Sequence, residues 1–393
     1  MENLNREKPW GIISGVRPVK HILRMRREGL CDTEIRKSLK EEYEISDKKL
    51  DIMFLVADRE RDVISSLKPD SIGLYVDIPF CPSKCIYCSF ASMSTQKMGK
   101  YIEPYLNALF DEIDGTKKIV SDLGLKIESV YFGGGTPTTL LSIELDILIR
   151  KLKESFDFSN VREFTVEAGR PDTITEEKLK VLKKHGVNRI SVNPQSMNDK
   201  TLKIIGRNHS ADEFKKAFSL VKSYGFECIN TDVIAGLPGE TIDDFKYTVD
   251  EVLSLAPENI TVHTMSIKRA SNINLFGCNT KSAPDEEIAE MIDYSYEVLG
   301  KNEYFPYYLY RQKNILGGME NTGFSKEGMS GIYNIVMMEE ISTVVSLGVG
   351  AVTKLVRPDL IERIFNFKDV IEYISRIEEI KERKNYMYKF YNF

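Results

Sequence analysis

The sequence predicts an α/β fold: an incomplete (β/α)6 barrel preceded by a helical segment and followed by a C-terminal α/β cover. Two observations carry this. From Gly73 onward, short apolar or β-branched runs alternate with longer amphipathic stretches, and repeated β-then-α units imply a parallel sheet with right-handed crossovers. The chain has 393 residues, too many for one average domain but suited to a βα barrel with appendages. With 42% hydrophobic residues, a large core is feasible and general disorder is not expected.

Residues 1–70 form the expected helical segment. "VKHILRMRREG" and "DTEIRKSLKEEYE" place apolar residues at helical spacing, with Asp32 and Glu34 positioned to cap the second helix, and "ISDKKLDIMFLVADRERDVIS" continues the pattern. The barrel is expected over 71–283. Its strands are "GLYVDI", "IESVYF", "EFTVEA", "RISVNP", "CINTDVIAG" and "NITVHTMS". Helical segments such as "YIEPYLNALFDEI" and "SADEFKKAFSLVKSYG" lie between them, and Gly186 and Gly225 stand where helix C-caps are expected. Residues 284–393 carry "YFPYYLYRQKN", the glycine-rich "SLGVGAVTK" and a closing charged helix. They are expected to cover the barrel mouth or its open edge. In such sheets, sites form at the C-terminal ends of the strands.

Charge and termini narrow the class. The formal net charge is −5 with both signs interspersed, which argues against a nucleic-acid-coating protein. "MENLNREKPW" lacks the apolar core of a signal peptide. No apolar run reaches the ~20 residues that span a bilayer. A cytoplasmic address with no membrane span and no nucleic-acid partner is therefore expected.

Six cysteines are present: Cys31, Cys81, Cys85, Cys88, Cys228 and Cys278. A disulfide framework is not expected in a reducing compartment. Cys81, Cys85 and Cys88 form a C-x3-C-x2-C cluster just after the first strand. Clustered thiols in such a chain point to a metal site. Three thiolates can ligate three irons of a 4Fe–4S cubane and leave the fourth iron without a protein ligand. A zinc site is the alternative, but zinc usually adds a second, distant ligand pair that is missing here. The spacing resembles the signature of the radical S-adenosylmethionine superfamily. That resemblance implies that the open iron chelates the amino and carboxylate groups of S-adenosylmethionine, and that an electron from the cluster cleaves its sulfonium to a 5′-deoxyadenosyl radical.

Further polar residues fall where parallel strands end. "GGGTPT", Gly133 to Thr138, follows the second strand, and its glycines let backbone approach a ligand. Glu167 closes the third strand, Gln195 follows the fourth, and Arg207 lies twelve residues on. Asp232 is embedded in the fifth strand, where an unpaired acid is costly. Singly, each is as well explained by a structural ion pair or a surface position. Jointly they suit S-adenosylmethionine: a carboxylate for its ammonium, a cation for its carboxylate and an acid for its ribose hydroxyls. His263 sits in the sixth strand. It is expected to be a hydrogen-bonded core histidine, with substrate contact as the alternative.

"YVDIPFCPSKCIYCSF", "GGGTPT", "VNPQSMNDKTLKIIGRNHS" and "DVIAGLPGET" together resemble the oxygen-independent coproporphyrinogen III oxidase group. "PWGIISGVRPVK" and "PYYLYRQKN…GFSKEG…IYNIVMMEE" resemble its HemZ-type coproporphyrinogen dehydrogenase branch. Members of that branch begin further upstream, so an additional N-terminal portion is expected to be missing here. By motif position, the resemblance implies that Tyr75 and Tyr87 flank the cofactor and that Gly134, Gly135 and Thr136 line it. Glu167 meets it, and Gln195, Arg207 and Asp232 hold it. Ser266 falls on the family position after the sixth strand, where alanine is more usual. The chain departs from the best-known members at Phe90, their fourth cysteine, and at Asp77, their histidine. Both departures are shared with haem chaperones of the superfamily, whose HNxxYW stretch is not found here.

The resemblance implies oxidative decarboxylation of two coproporphyrinogen III propionates to vinyls, with a tetrapyrrole substrate and an electron donor protein such as flavodoxin or ferredoxin. The alternatives are a haem-binding chaperone and a radical enzyme that modifies haem. A substrate with several carboxylates and a greasy macrocycle calls for cations beside aromatic walls. Arg17, Lys268, Arg269 and Arg311 are the candidates, beside the tyrosines of "YFPYYLYR".

Overall fold

The computed structural model describes residues 9–267, 283–358 and 360–392. Strand β1 (Ser71–Ile78) is followed by the two-residue strands β2 (Phe80–Cys81) and β3 (Met93–Ser94). Then come β4 (Lys126–Gly134), β5 (Glu163–Glu167), β6 (Arg189–Ser191), β7 (Cys228–Ala235) and β8 (Asn259–Thr264). The later part adds β9 (Phe305–Tyr310), β10 (Asn321–Ser325), β11 (Val344–Leu347), β12 (Val352–Arg357) and β13 (Leu360–Phe365). The main sheet runs β13-β12-β11-β1-β4-β5-β6-β7-β8-β10-β9. Its centre, β1 and β4 to β8, is parallel throughout, and these are the six strands expected from the sequence. The sheet ends on β13 and β9 without closing, so the barrel is incomplete.

Period-two alternation decides which face the helices cover. Leu74, Val76 and Ile78 of β1, Val130 and Phe132 of β4, Phe164 and Val166 of β5 and Val233 of β7 all enter the main core. There they meet Leu109 and Ile113 from helix Ile102–Asp122, Leu148 and Leu152 from Ser142–Ser155, and Phe214 and Phe218 from Ala211–Ser223. Burying each such side chain is worth about 1.5–3 kcal/mol. The intervening residues, among them Asp77, Tyr131, Glu167, Asp232 and His263, fall on the other face, toward the barrel interior.

Residues of the expected cover extend both edges of the sheet. β10 pairs antiparallel with β8 and β9 with β10, while β11 lies parallel to β1 and carries β12 and β13 outward. Helix Ile332–Glu339 lies against the interior face. The Glu163 carboxylate, at the start of β5, accepts from the Ile332 N–H at 2.6 Å and the Tyr333 N–H at 3.3 Å. The Tyr333 ring stacks on Tyr131 with centroids 4.3 Å apart. This helix fills the interior toward the strand starts and leaves the strand ends for a site.

The N-terminal helices Val19–Arg27, Asp32–Tyr43 and Asp47–Ser66 build a second core around Ile22, Leu39, Leu50 and Met53, which Leu309 of β9 joins. The second helix starts at Asp32, and its cap is the Glu34 carboxylate, which accepts from the Cys31 N–H at 2.8 Å. No helix among the described residues is long and apolar enough to cross a membrane.

A buried ion pair ties this helical core to β10. The Lys49 ammonium and the Trp10 indole N–H, the latter at 2.7 Å, both donate to the Glu320 carboxylate, and all three side chains are buried. Lys49→Met would leave Glu320 charged and half-satisfied. It should lower unfolding free energy by about 3–5 kcal/mol, read by urea denaturation. A loss under about 1 kcal/mol, the range of an exposed pair, would contradict the arrangement.

Candidate functional site

The chain leaves β1 through Pro79 and Phe80 into the segment that carries Cys81, Cys85 and Cys88, and three neighbours fix its path. The N–H groups of Gly135 and Thr136, just past β4, donate to the Ile78 and Phe80 carbonyls, both at 2.8 Å. The Ile86 N–H donates to the Ile205 carbonyl at 3.1 Å, and the Met93 N–H to Pro79 at 2.7 Å. The glycines of "GGGTPT" are therefore bound up with holding the cysteine segment, which their spacing alone did not reveal. A Cβ on Gly135 would stand 2.7 Å from the Phe80 carbonyl oxygen, and one on Gly134, where φ is +104°, 2.6 Å from the Asp77 carboxyl.

All three thiols are free. Cys81 Sγ is 3.3 Å from the Thr136 hydroxyl. Cys85, the most buried, has Arg170 Nη1 at 3.8 Å. Burial pushes the Cys81 thiol up to about 11 and raises Cys88 as well. Phe90, in place of a fourth cysteine, is 67% exposed.

Glu167 at the end of β5, Asp232 within β7 and Arg207 past helix Asp199–Ile204 are among the polar residues the sequence singled out. On β5, Glu167 accepts from the Tyr131 hydroxyl at 2.6 Å. Burial raises its carboxyl to about 7; the Tyr131 hydrogen bond opposes the rise and the Asp232 charge adds to it. On β7, Asp232 Oδ2 accepts from Asn193 Nδ2 at 2.8 Å, Oδ1 accepts from Asn230 Nδ2 at 2.7 Å, and His263 Nε2 is 3.7 Å from Oδ2. The other ring nitrogen of His263 is 3.5 Å from the Tyr310 hydroxyl. The expected core histidine is thus a partner of an expected cofactor residue.

Arg207 is buried. It donates to the Gly169 carbonyl at 2.7 Å and to the Tyr87 hydroxyl at 3.0 Å, while its Nε is buried without a partner. Gln195 is buried with φ at 68°, its N–H donating to the Asp232 backbone carbonyl and its carbonyl accepting from the Ile234 N–H. Non-glycine residues rarely hold that conformation, and those that do concentrate at functional sites. Tyr75 stacks near Tyr131 and Tyr333, and its hydroxyl donates to Asp77 at 3.2 Å. The Ser266 hydroxyl donates to the Lys313 carbonyl at 3.1 Å, beside the Ser266–Ile315 bridge.

The proposed substrate cations are placed differently. Arg17 lies 3.1 Å from Glu340, a carboxylate that Lys20, Lys354 and Arg363 also approach. Arg311 donates to the Ile13 carbonyl at 3.1 Å and lies over the Trp10 ring. The two segments touch, since the Arg311 N–H donates to the Val16 carbonyl at 2.8 Å, but each guanidinium has partners within the chain. Lys268 and Arg269 lie outside the described residues. Three site residues escaped the sequence reading: Arg170, Asn193 and Tyr333. Arg170 follows β5 closely, so the strand-end rule that found Glu167 would have found it too. Tyr333 comes from a distant helix and left no such signal.

The family model described as the Radical SAM superfamily matches residues 75–252. The Bacillus subtilis oxygen-independent coproporphyrinogen-III oxidase-like protein HemZ is 40% identical over 95% of this chain and 76% of its own length. The heme chaperone HemW of Bacillus subtilis is 34% identical over 66% of this chain and 65% of its own. Among solved structures, the Escherichia coli coproporphyrinogen III oxidase HemN superposes with a TM-score of 0.66 at 21% identity, over 83% of this chain and 73% of that one. This last likeness bears on the fold alone.

Gly134 gives a direct test of the site's packing. Gly134→Ala adds a Cβ against the Asp77 carboxyl at a positive φ. It should cost about 1–3 kcal/mol of stability by denaturant titration. An unchanged midpoint would mean that the β1–β4 junction is looser than described.

Proposed function

The chain belongs to the radical SAM superfamily, in the HemZ branch of oxygen-independent coproporphyrinogen oxidase-like proteins, and from that premise we propose that it oxidatively decarboxylates coproporphyrinogen III propionates to vinyls. The observation that carries this reading is the set of thiols and the buried guanidinium on the segment that follows β1. Cys81, Cys85 and Cys88 share one short segment and form no disulfide, although among the described residues no group of three or more His, Cys, Asp or Glu side chains is gathered closely enough to grip an ion by itself. The buried Arg207, its Nε unpartnered, donates to Tyr87 between the cysteines. That donor set fits a 4Fe–4S cluster and S-adenosylmethionine. When bound, these supply an adenosyl radical that takes a hydrogen atom from the propionate β-carbon, after which loss of one electron to an external acceptor, and of CO2, leaves the vinyl.

Cys81, Cys85 and Cys88 would hold the cluster. Burial raises the Cys81 and Cys88 thiols, so keeping them as thiolates calls for nearby positive charge, which iron provides. Glu167 would take the cofactor's ammonium and Arg207 its carboxylate. Asp232 is oriented by Asn193 and Asn230, and each carboxylate oxygen retains a lone pair for a ribose hydroxyl. Gly134, Gly135 and Thr136 would line the cofactor, Gln195 and Ser266 would border it, and Tyr75 and Tyr87 would flank it. The tyrosine stack offers a flat aromatic wall for a macrocycle. Arg17 and Arg311, each with a buried, unpartnered Nε, are the described cations proposed for its carboxylates.

The deciding experiment is anaerobic. Protein reconstituted with iron and sulfide is given S-adenosylmethionine, a low-potential reductant and coproporphyrinogen III, and products are separated by mass. Stoichiometric CO2 loss supports the proposal. Haem binding without turnover of either tetrapyrrole would replace it with a chaperone reading, and turnover of haem itself with a haem-modifying one.

Glu167 also predicts a pH dependence. With its carboxyl at about 7 in the free protein, Glu167 is mostly protonated at pH 6, and an ammonium ligand favours the charged form. Binding to the cluster-free protein then releases a proton, so S-adenosylmethionine affinity should rise about fivefold from pH 6 to pH 7, below the range of about 7.7–8.0 where the cofactor's own α-amino group loses its charge. Calorimetry should show this rise for the wild-type protein and a flat profile for Glu167→Gln. A flat wild-type profile would remove Glu167 from the ammonium contact.

A further inference from the structure

Arg170 is 2% exposed, and a chain does not bury a guanidinium without cost. Its Nε and Nη2 donate to the two carboxylate oxygens of Asp172, each at 3.0 Å. Its Nη1 donates to the Ser83 hydroxyl at 3.1 Å and the Ser83 carbonyl at 3.3 Å, and stands 3.8 Å from Cys85 Sγ. Asp172 lies on the outer side, its side chain 27% exposed. The cation therefore points inward, and Nη1, the nitrogen not paired with a carboxylate, faces Ser83 and the thiol.

A neutral side chain would brace Ser83 without the desolvation penalty of a buried charge. The placement acquires a purpose if Cys85 is a thiolate ligand to a redox centre. Hydrogen bonds and positive charge at ligand sulfur stabilise the more negative, reduced form of an iron–sulfur cluster and raise its potential. We infer that Arg170 is a positioning residue that places its charge beside the Cys85 ligand sulfur and sets the cluster's reduction potential, with Asp172 partly offsetting that charge. This rests on the cluster assignment to Cys81, Cys85 and Cys88.

The test uses the full chain, anaerobically reconstituted, with iron content and a spectroscopic redox titration as readouts. Arg170→Met removes the charge but keeps the bulk. It should bind the wild-type complement of iron while its reduction equilibrium constant falls about tenfold, close to 59 mV for a one-electron couple. Arg170→Lys, which keeps the charge, should fall less. Asp172→Asn removes the offsetting anion and should shift the potential upward, opposite in sign to Arg170→Met. A residue that only braces the loop would move Arg170→Met and Asp172→Asn the same way, or neither. Either result, with iron retained, overturns the inference and leaves the cluster assignment standing. If Arg170→Met fails to assemble, Asp172→Asn decides alone, and the absence of an upward shift overturns the inference. If wild-type protein binds no cluster while Cys85→Ala behaves identically, the failure belongs to the cluster assignment instead.

Discussion

Polar side chains on the interior face of the sheet must find their partners on that same face. The opposite face is committed to helices through Leu74, Phe132, Val166 and Val233, and a carboxylate left unpaired in such surroundings is costly. Each interior group accordingly answers to another interior group. Tyr131 serves Glu167. Asn193 and Asn230 serve Asp232, and the Ser191 hydroxyl in turn donates to Asn193 and accepts from Asn230. Glu163 is satisfied by the start of helix Ile332–Glu339. That last contact also draws Tyr333 into the interior and leaves only the strand ends open.

The cysteine segment depends on that arrangement from outside the sheet. It borrows backbone donors from the turn after β4 and an acceptor from Ile205, at the end of helix Asp199–Ile204. The same helix end presents Arg207, which ties the strand-5 exit at Gly169 to Tyr87 between the cysteines. Two buried guanidinium groups, Arg170 and Arg207, thus approach this segment from different elements. This concentration of positive charge suits the cluster and cofactor proposed for the segment.

The appendages act on the edges of the sheet. Trp10 and Lys49 clasp Glu320 immediately before β10, so the N-terminal helices brace the β8–β10–β9 edge. At the far edge, the buried Glu112 accepts from Gly348 N–H at 2.8 Å, Asn366 at 2.7 Å and Tyr373 at 2.6 Å. An open sheet lacks the mutual support of a closed barrel, and these two buried carboxylates hold its rims.

Sequence alone determined the six parallel strands, the helices between them, the cysteine segment, Glu167 at the end of β5 and Gln195 past β6, whereas Asp232 lies within β7 and Arg207 past a helix end rather than at strand ends. Period-two burial and chain spacing are local properties, and local patterns suffice to place such residues at one end of a parallel sheet. Tertiary structure decided the rest because it joins residues distant in the chain. Nothing in "GGGTPT" announces that two of its N–H groups hold the cysteine segment. Nothing in "IYNIVMMEE" places Tyr333 against Tyr131. The engagement of Arg17 with Glu340 and of Arg311 with Ile13 and Trp10 was equally hidden. A charge's role depends on which buried partner reaches it first, and that is settled only when the elements pack.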